Sequence, residues 1–276
     1  QPLVNHAGAE TLPPGSIFKI ITTAAGLNNG FDPSSTLTGS NVITLPDTVT
    51  ELTNYANQKC NGQDAVTLQT AFALSCNTAF VEMSEQLGAD ELRKYAKAFG
   101  VGENYDLGVS TSAGTLGDLP DGAATAQSAI GQRDVTMTAL QAAVMAGTVA
   151  NKGTRMQPYL VNRITDAQMK DVRTTKPKKA DQAVNEETAA TLTDLMYASE
   201  RSSWGYDGNG FASKTGTAEH GEGLAPHVWY VAFDPERDIA VGVVVKNGGN
   251  LGESATGGKV SGPIGRAILR AYQGEQ

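Results

Sequence analysis

The apolar positions of the chain fall into two regimes, recurring at helical spacing through the first two thirds and running along short strand-like stretches in the last. Ile17, Ile20, Ile21, Ala24 and Ala25 repeat every three to four residues, which predicts a helix from Ser16 to about Leu27. Pro13-Pro14-Gly15 turns the chain into it, and Asn28-Asn29-Gly30, residues that tolerate left-handed backbone, stop it. From Asp32 to Asp64 the chain is polar with weak alternation, as at Val42-Ile43-Thr44-Leu45, predicting short strands and loops. Thr67–Leu74 reads as a helix. After Ser75-Cys76-Asn77 a second amphipathic run carries Phe80, Met83 and Leu87 to a stop at Gly88, so the Ser75–Asn77 segment is expected at a junction between helices. Asp90–Phe99 is another helix ended by Gly100, and Gly102–Thr125, rich in Gly, Ser, Thr and Asp, is expected to be a long loop, functional or mobile.

Met137, Leu140, Val144 and Met145 mark a helix over about Thr136–Ala150. A short strand near Tyr159–Ile164, a basic loop Lys170–Lys179 and a helix from about Glu186 to Ser199 follow. Phe211–Thr217, Val228–Phe233 and Ile239–Val245 read as three strands, and the short connection Asp234–Asp238 implies antiparallel pairing. A glycine-rich loop, Asn247–Gly258, leads to a closing helix with Ile264, Ala267, Ile268 and Ala271. The pattern predicts an α+β (mixed α/β) fold, an antiparallel sheet flanked by helices, with one main domain over 1–276 and no internal repeat.

Composition narrows the function. With 40% hydrophobic residues the chain is not a disordered segment, and no apolar run reaches the length of a membrane span. A net charge of −8 argues against a nucleic-acid partner, which leaves Lys170–Lys179 as a solvated loop. His6, His220 and His227 stand at no ligand spacing from each other or from Cys60 and Cys76, so no zinc site is expected, and the chemistry read below calls for no cofactor. Gly252–Lys259 lacks the spacing of a phosphate loop, and Val260 stands where Ser or Thr would be needed. The two cysteines are compatible both with a disulfide and with two unpaired core thiols. Gln1-Pro2-Leu3 does not look like a natural start and reads as the beginning of a fragment.

Three short motifs carry the chemistry: Ser16-x-x-Lys19, Ser75-x-Asn77 and Lys214-Thr215-Gly216, each occurring once. A serine hydroxyl is a poor nucleophile until a base takes its proton, and an amine can be that base only where burial or a neighbouring cation lowers its pKa. At helical spacing Lys19 can approach the Ser16 hydroxyl, at a helix N-terminus whose N–H groups favour developing negative charge. Each motif alone has an ordinary structural explanation: an N-cap serine with a surface lysine, an interhelix turn, a strand end. Their order and their contexts together point to acyl transfer.

On these residues the chain resembles the transpeptidase domain of class B penicillin-binding proteins, and is most like the mycobacterial and other actinobacterial members. Asn5-x-Ala7, Pro13-Pro14-Gly15-Ser16-x-Phe18-Lys19, Ile130-Gly131-Gln132, Ala150-Asn151-x-Gly153, Pro158, Lys214–Glu219 and the strand after His227 all fit the family pattern, which therefore spans nearly the whole chain. Arg133 departs from the family's usual Gly-Gln-Gly. The resemblance implies that Ser16 attacks the carbonyl of a penultimate D-alanine, that Lys19 takes its proton, and that Ser75 relays it to the leaving amine. Asn77 would brace Lys19 and hold the substrate amide. Lys214 would help keep Lys19 neutral and attract the terminal carboxylate, with Thr215 and Thr217 offering it hydroxyls. Gly216 would let substrate lie along the strand edge, and the backbone N–H groups of Ser16 and Thr217 would form an oxyanion hole.

The partners implied are peptidoglycan stem peptides, β-lactams and the cell-wall synthesis machinery. The implied compartment is the outer face of the cytoplasmic membrane. A membrane anchor, a preceding domain and N-terminal strands are expected outside this chain. That compartment favours a Cys60–Cys76 disulfide bracing the Ser75–Asn77 turn. D,D-carboxypeptidase, serine β-lactamase and a non-catalytic β-lactam sensor are the alternatives. The β-lactamase would need a further general base, for which no glutamate motif is visible between Asn77 and Lys214.

Overall fold

The computed structural model describes residues 4–221 and 223–274, so Gln1-Pro2-Leu3 lies outside the described residues. A short helix α1 (His6–Ala9) precedes a 3-10 turn, Gly15–Phe18, that runs straight into α2 (Lys19–Leu27). Every residue of α2 except Leu27 is buried, which accounts for its near-continuous small and apolar composition. The polar segment after it makes two small antiparallel ribbons: β1 (Thr36–Thr38) pairs with β4 (Ala65–Thr67), and β2 (Val42–Thr44) with β3 (Glu51–Thr53).

Helix α3 (Leu68–Leu74) is capped by the Thr67 side chain and ends at Ser75. Helix α4 (Asn77–Ala98) is interrupted at Gly88, whose φ of 75° and ψ of 171° divide it into two segments where the sequence places two helices. The expected Gly102–Thr125 loop ends earlier, because α5 (Gly122–Ala129) starts within it. That helix is built of Gly, Ala, Ser, Thr and Gln and has almost no apolar periodicity; its one local signal is Asp121, whose carboxylate accepts from Ala124 N at 2.7 Å. The loop itself is tied down. Gln141 of α6 (Ala139–Ala150) donates to the carbonyls of Gly100 and Ala113, and buried Arg155 pairs with Glu103 at 2.6 Å while bonding Ala98 O and Tyr105 Oη.

The expected strand near Tyr159–Ile164 is displaced to β5 (Thr154–Met156) and β6 (Arg163–Thr165). The expected basic loop contributes β7 (Asp171–Thr174) and β8 (Lys179–Gln182), pairing β6 with β7 and β5 with β8. All residues of β7 and β8 are exposed, so neither carries the apolar alternation that marks a half-buried strand.

After α7 (Glu186–Ser202) come β9 (Ala212–Ala218), β10 (His227–Asp234) and β11 (Ile239–Val245), an antiparallel sheet in the order β11-β10-β9. All eight residues of central β10 are buried. Trp229, Val231 and Phe233 face the main core with α2, α4 and α6, whereas Tyr230 and Ala232 face Phe211, Val241 and Leu269 of the closing helix α8 (Ser261–Gly274). A strand covered on both faces has to be apolar throughout, as His227–Asp234 nearly is. Helices thus flank both sides of an antiparallel sheet. Among the described residues no helix is long and apolar enough to cross a membrane.

Candidate active site

Ser16 lies in the 3-10 turn Gly15–Phe18, and the α-helix expected to start at Ser16 begins at Lys19. Two glycines allow the surrounding backbone to close on this turn. A Cβ on Gly216 of β9 would stand 2.8 Å from Pro14 O, and one on Gly131 (φ +73°) would collide with the Gly15 carbonyl. Gly15 N donates to Gly131 O at 2.9 Å, and Trp229 Nε1 donates to Pro13 O at 2.8 Å. The turn is therefore clamped between the edge of β9 and the end of α5, which brings Ser16 alongside Thr215, Gly216 and Thr217 in one cleft.

Lys19 is fully buried as the first residue of α2. Its Nζ reaches Asn77 Oδ1 at 2.7 Å, Ser75 O at 2.8 Å and Ser75 Oγ at 3.4 Å. The approach to Ser16 Oγ expected from sequence spacing is not made as a hydrogen bond among the described residues; the amine is directed across to the second motif. Lys214, also fully buried, reaches Ser75 Oγ at 2.9 Å and Thr215 O at 3.0 Å. Two lysine side-chain nitrogens thus converge on one hydroxyl, and among the described residues neither has a carboxylate partner. Burial, and then the charge of Lys214, hold Lys19 well below the ordinary lysine range. Burial alone brings Lys214 down to about 7. A neutral Lys19 has two N–H bonds, which Asn77 Oδ1 and Ser75 O can accept, and one lone pair left to take a proton.

Ser75 has a left-handed backbone, φ +61°, closing the C-terminus of α3. For a non-glycine residue that conformation costs about 1–2 kcal/mol. It is held by Ser75 N to Phe72 O at 3.2 Å, by Cys76 N to Ala71 O at 2.9 Å, and by the bond from Lys19 to the Ser75 carbonyl. The neighbouring residue is fixed covalently as well: Cys76 is joined to Cys60 across 16 residues, with Cα atoms 5.7 Å apart. Asn77 opens α4 and donates Nδ2 to Thr53 O at 3.1 Å, which ties the turn to β3.

Thr215 and Thr217 alternate with buried neighbours along β9 and turn toward the cleft. The cleft has a volume of about 970 Å³. Its floor hides both lysines, and its sides include residues that motif reading did not pick out: Glu51–Asn57, Ser202–Trp204 and Thr256–Gly258. Glycine-rich composition was the one sequence signal for the last of these. Gln132 lines the cleft, and Arg133, where the family has glycine, keeps a glycine-like φ of +63° with Nη1 donating to Asp118 O at 2.5 Å. His227 stays out of the cleft, stacked on His220 with ring centroids 3.9 Å apart and accepting from Asn247 N.

Residues 1–270 match the family described as the penicillin binding protein transpeptidase domain. The chain is similar to the peptidoglycan D,D-transpeptidase PbpA of Mycolicibacterium smegmatis, 45% identical over 98% of this chain and 57% of that protein. PbpA of Mycobacterium tuberculosis is 43% identical over 100% of this chain and 58% of its own length. The chain therefore spans somewhat more than half of these relatives. Among solved structures, the ceftriaxone acyl-enzyme complex of penicillin-binding protein A from M. tuberculosis superposes with a TM-score of 0.94 at 42% identity, covering 98% of this chain and 62% of that one. The penicillin G acyl-enzyme complex of the same protein gives 0.93 at 42% identity over 99% of this chain and 63% of that one.

Proposed function

The chain belongs to the penicillin-binding protein transpeptidase family, and from that premise we propose that residues 1–276 act as one peptidoglycan D,D-transpeptidase domain, with Ser16 as the nucleophile. The observation that carries this reading is the convergence of two buried lysines, Lys19 and Lys214, on Ser75 Oγ beside Ser16. An amine kept neutral by burial and a nearby cation is a base competent to activate a serine.

In the proposed reaction the terminal carboxylate of a stem peptide ending in D-alanyl-D-alanine binds at Thr215 and Thr217 near Lys214. Neutral Lys19 takes the Ser16 proton as Oγ bonds to the penultimate carbonyl carbon. The N–H groups of Ser16 and Thr217 receive the oxyanion, at a site where Gly216 lets β9 close on the Ser16 turn. The carbon–nitrogen bond then breaks as Ser75 passes the proton from Lys19 to the leaving nitrogen, a task suited to a hydroxyl that donates and accepts. D-Alanine departs and the peptide remains as an ester on Ser16. An acceptor amine attacks that ester, its proton returns by the same route to Ser16, and a cross-linked amide is released.

The PbpA names and the acyl-enzyme structures of similar proteins support β-lactams as inhibitors that stop at the ester stage. The Cys60–Cys76 bond supports an oxidising compartment, consistent with work at the outer face of the cytoplasmic membrane beside the cell-wall synthesis machinery. The test is incubation with a thioester donor ending in D-alanine, with and without D-alanine as acceptor. A transfer product separates the transpeptidase from a D,D-carboxypeptidase, which would release only the acid. Rapid hydrolysis of benzylpenicillin would instead indicate a β-lactamase, and an acylated protein inert to the donor a sensor.

A further inference from the structure

Trp204 lines the cleft yet keeps 67% of its surface exposed. It is held from behind: Arg266 donates Nη1 to Trp204 O at 2.9 Å, Nη2 to Ser203 Oγ at 3.0 Å and Nε to Glu200 Oε1 at 2.6 Å. Glu200 is itself fully buried and accepts from the hydroxyl of Ser213, the residue before Lys214. The indole wall is thus tied to the Lys214 end of β9. Trp204 also packs on Gly258, and Gly257, one chain step of about 3.8 Å away, packs on Gly216. Lys259 Nζ sits 5.7 Å from the indole centroid and covers part of one face. No step of the proposed acylation uses this wall, and an exposed tryptophan in a cleft, its backbone fixed by Arg266, is the kind of group that anchors a ligand at small entropic cost.

Aminolysis of the Ser16 ester is the reverse of acylation run with a different amine. By microscopic reversibility the acceptor nitrogen enters where the D-alanine nitrogen left, and a carboxylate on its α-carbon returns to the Thr215 end of β9. Along the same cleft Gly257 and Gly258 lie between Gly216 and Trp204, which leaves room there for a side chain longer than the methyl group of D-alanine. We propose that Trp204 is a specificity-determining residue for the acceptor, forming the wall on which the aliphatic side chain of a D-configured amino-acid unit lies. This rests on the transpeptidase reading above.

The test uses the full chain with a thioester donor ending in D-alanine, and compares D-norleucine with D-alanine as acceptors by the ratio of transfer product to hydrolysis product. D-Norleucine is expected to be favoured about tenfold. Trp204→Ala is expected to bring the preference to about one, and Trp204→Phe to restore part of it, while transfer to D-alanine and acylation by benzylpenicillin stay unchanged. A wild type without the preference, or a Trp204→Ala variant that keeps it or loses D-alanine transfer by the same factor, overturns the inference. No transfer to either acceptor overturns the transpeptidase reading, and this inference with it.

Discussion

Replacing Lys214 by methionine keeps the length and burial of the side chain and removes only its charge and hydrogen bonds. Lys19 and Lys214 both reach Ser75 Oγ, at 3.4 Å and 2.9 Å, so their nitrogens stand no more than about 6 Å apart. At an effective dielectric near 20, two unit charges at that separation repel by roughly 3 kcal/mol, or about a hundredfold in the equilibrium that keeps Lys19 neutral. The repulsion acts where Lys214 is charged, below about pH 7. In the proposed mechanism Lys19 must be neutral to accept the Ser16 proton, so acylation is expected to rise with pH as Lys19 loses its own proton. In Lys214→Met that rising limb should move toward alkaline pH, by one to two pH units on the same arithmetic. The assay is the second-order rate of acylation by a fluorescent penicillin from pH 4.5 to 9.5. Loss of the proposed carboxylate contact is expected to lower the whole curve, but only the electrostatic effect moves its limb. A limb that stays in place, or moves to acid pH, refutes the assignment of Lys19 as a base kept neutral by its neighbour.

Further outcomes follow from the same structure. The double variant Cys60→Ala, Cys76→Ala opens a 16-residue link worth about 3 kcal/mol, and should lower the melting temperature by about 6–12 °C in calorimetry; a change under 2 °C would contradict the bracing role. Gly216→Val puts a side chain against Pro14 O, 2.8 Å from the new Cβ, which displaces the Ser16 turn from β9 and should slow penicillin acylation about a hundredfold; an unchanged rate would contradict the clamping of that turn by the strand. Both buried lysines lose their protons more readily in the fold than in the unfolded chain. Between about pH 7, where Lys214 titrates when folded, and about 10.4, where a free lysine does, the unfolded chain binds more protons, so stability should rise with pH across that window. Urea unfolding at pH 7 and pH 9 would show it, and equal or falling stability would contradict it.

The architecture was legible wherever a segment carries apolar residues into the core. The helix periodicity of Ile17–Ala25 and the continuous apolar run of His227–Asp234 both announce packing against a core. Segments without an apolar face stayed silent: α5 is made of small residues, and β7 and β8 are exposed along their whole length. The motifs identified which side chains meet, but not how. Spacing along a helix suggested Lys19 beside Ser16, whereas the left-handed turn at Ser75 presents its carbonyl, and α4 presents Asn77 Oδ1, to the buried amine. Trp204 and its Arg266–Glu200 support could not be read at all, since that site is assembled from α7, β9 and α8, and each residue alone looks like an ordinary surface or helix position.

Acyl transfer through Ser16 requires that its Oγ become an ester, and intact-protein mass spectrometry after incubation with benzylpenicillin measures that directly. The wild-type chain should gain the mass of one penicillin and Ser16→Ala should gain none. An unmodified wild type, or a Ser16→Ala variant labelled to the same extent, would contradict the account.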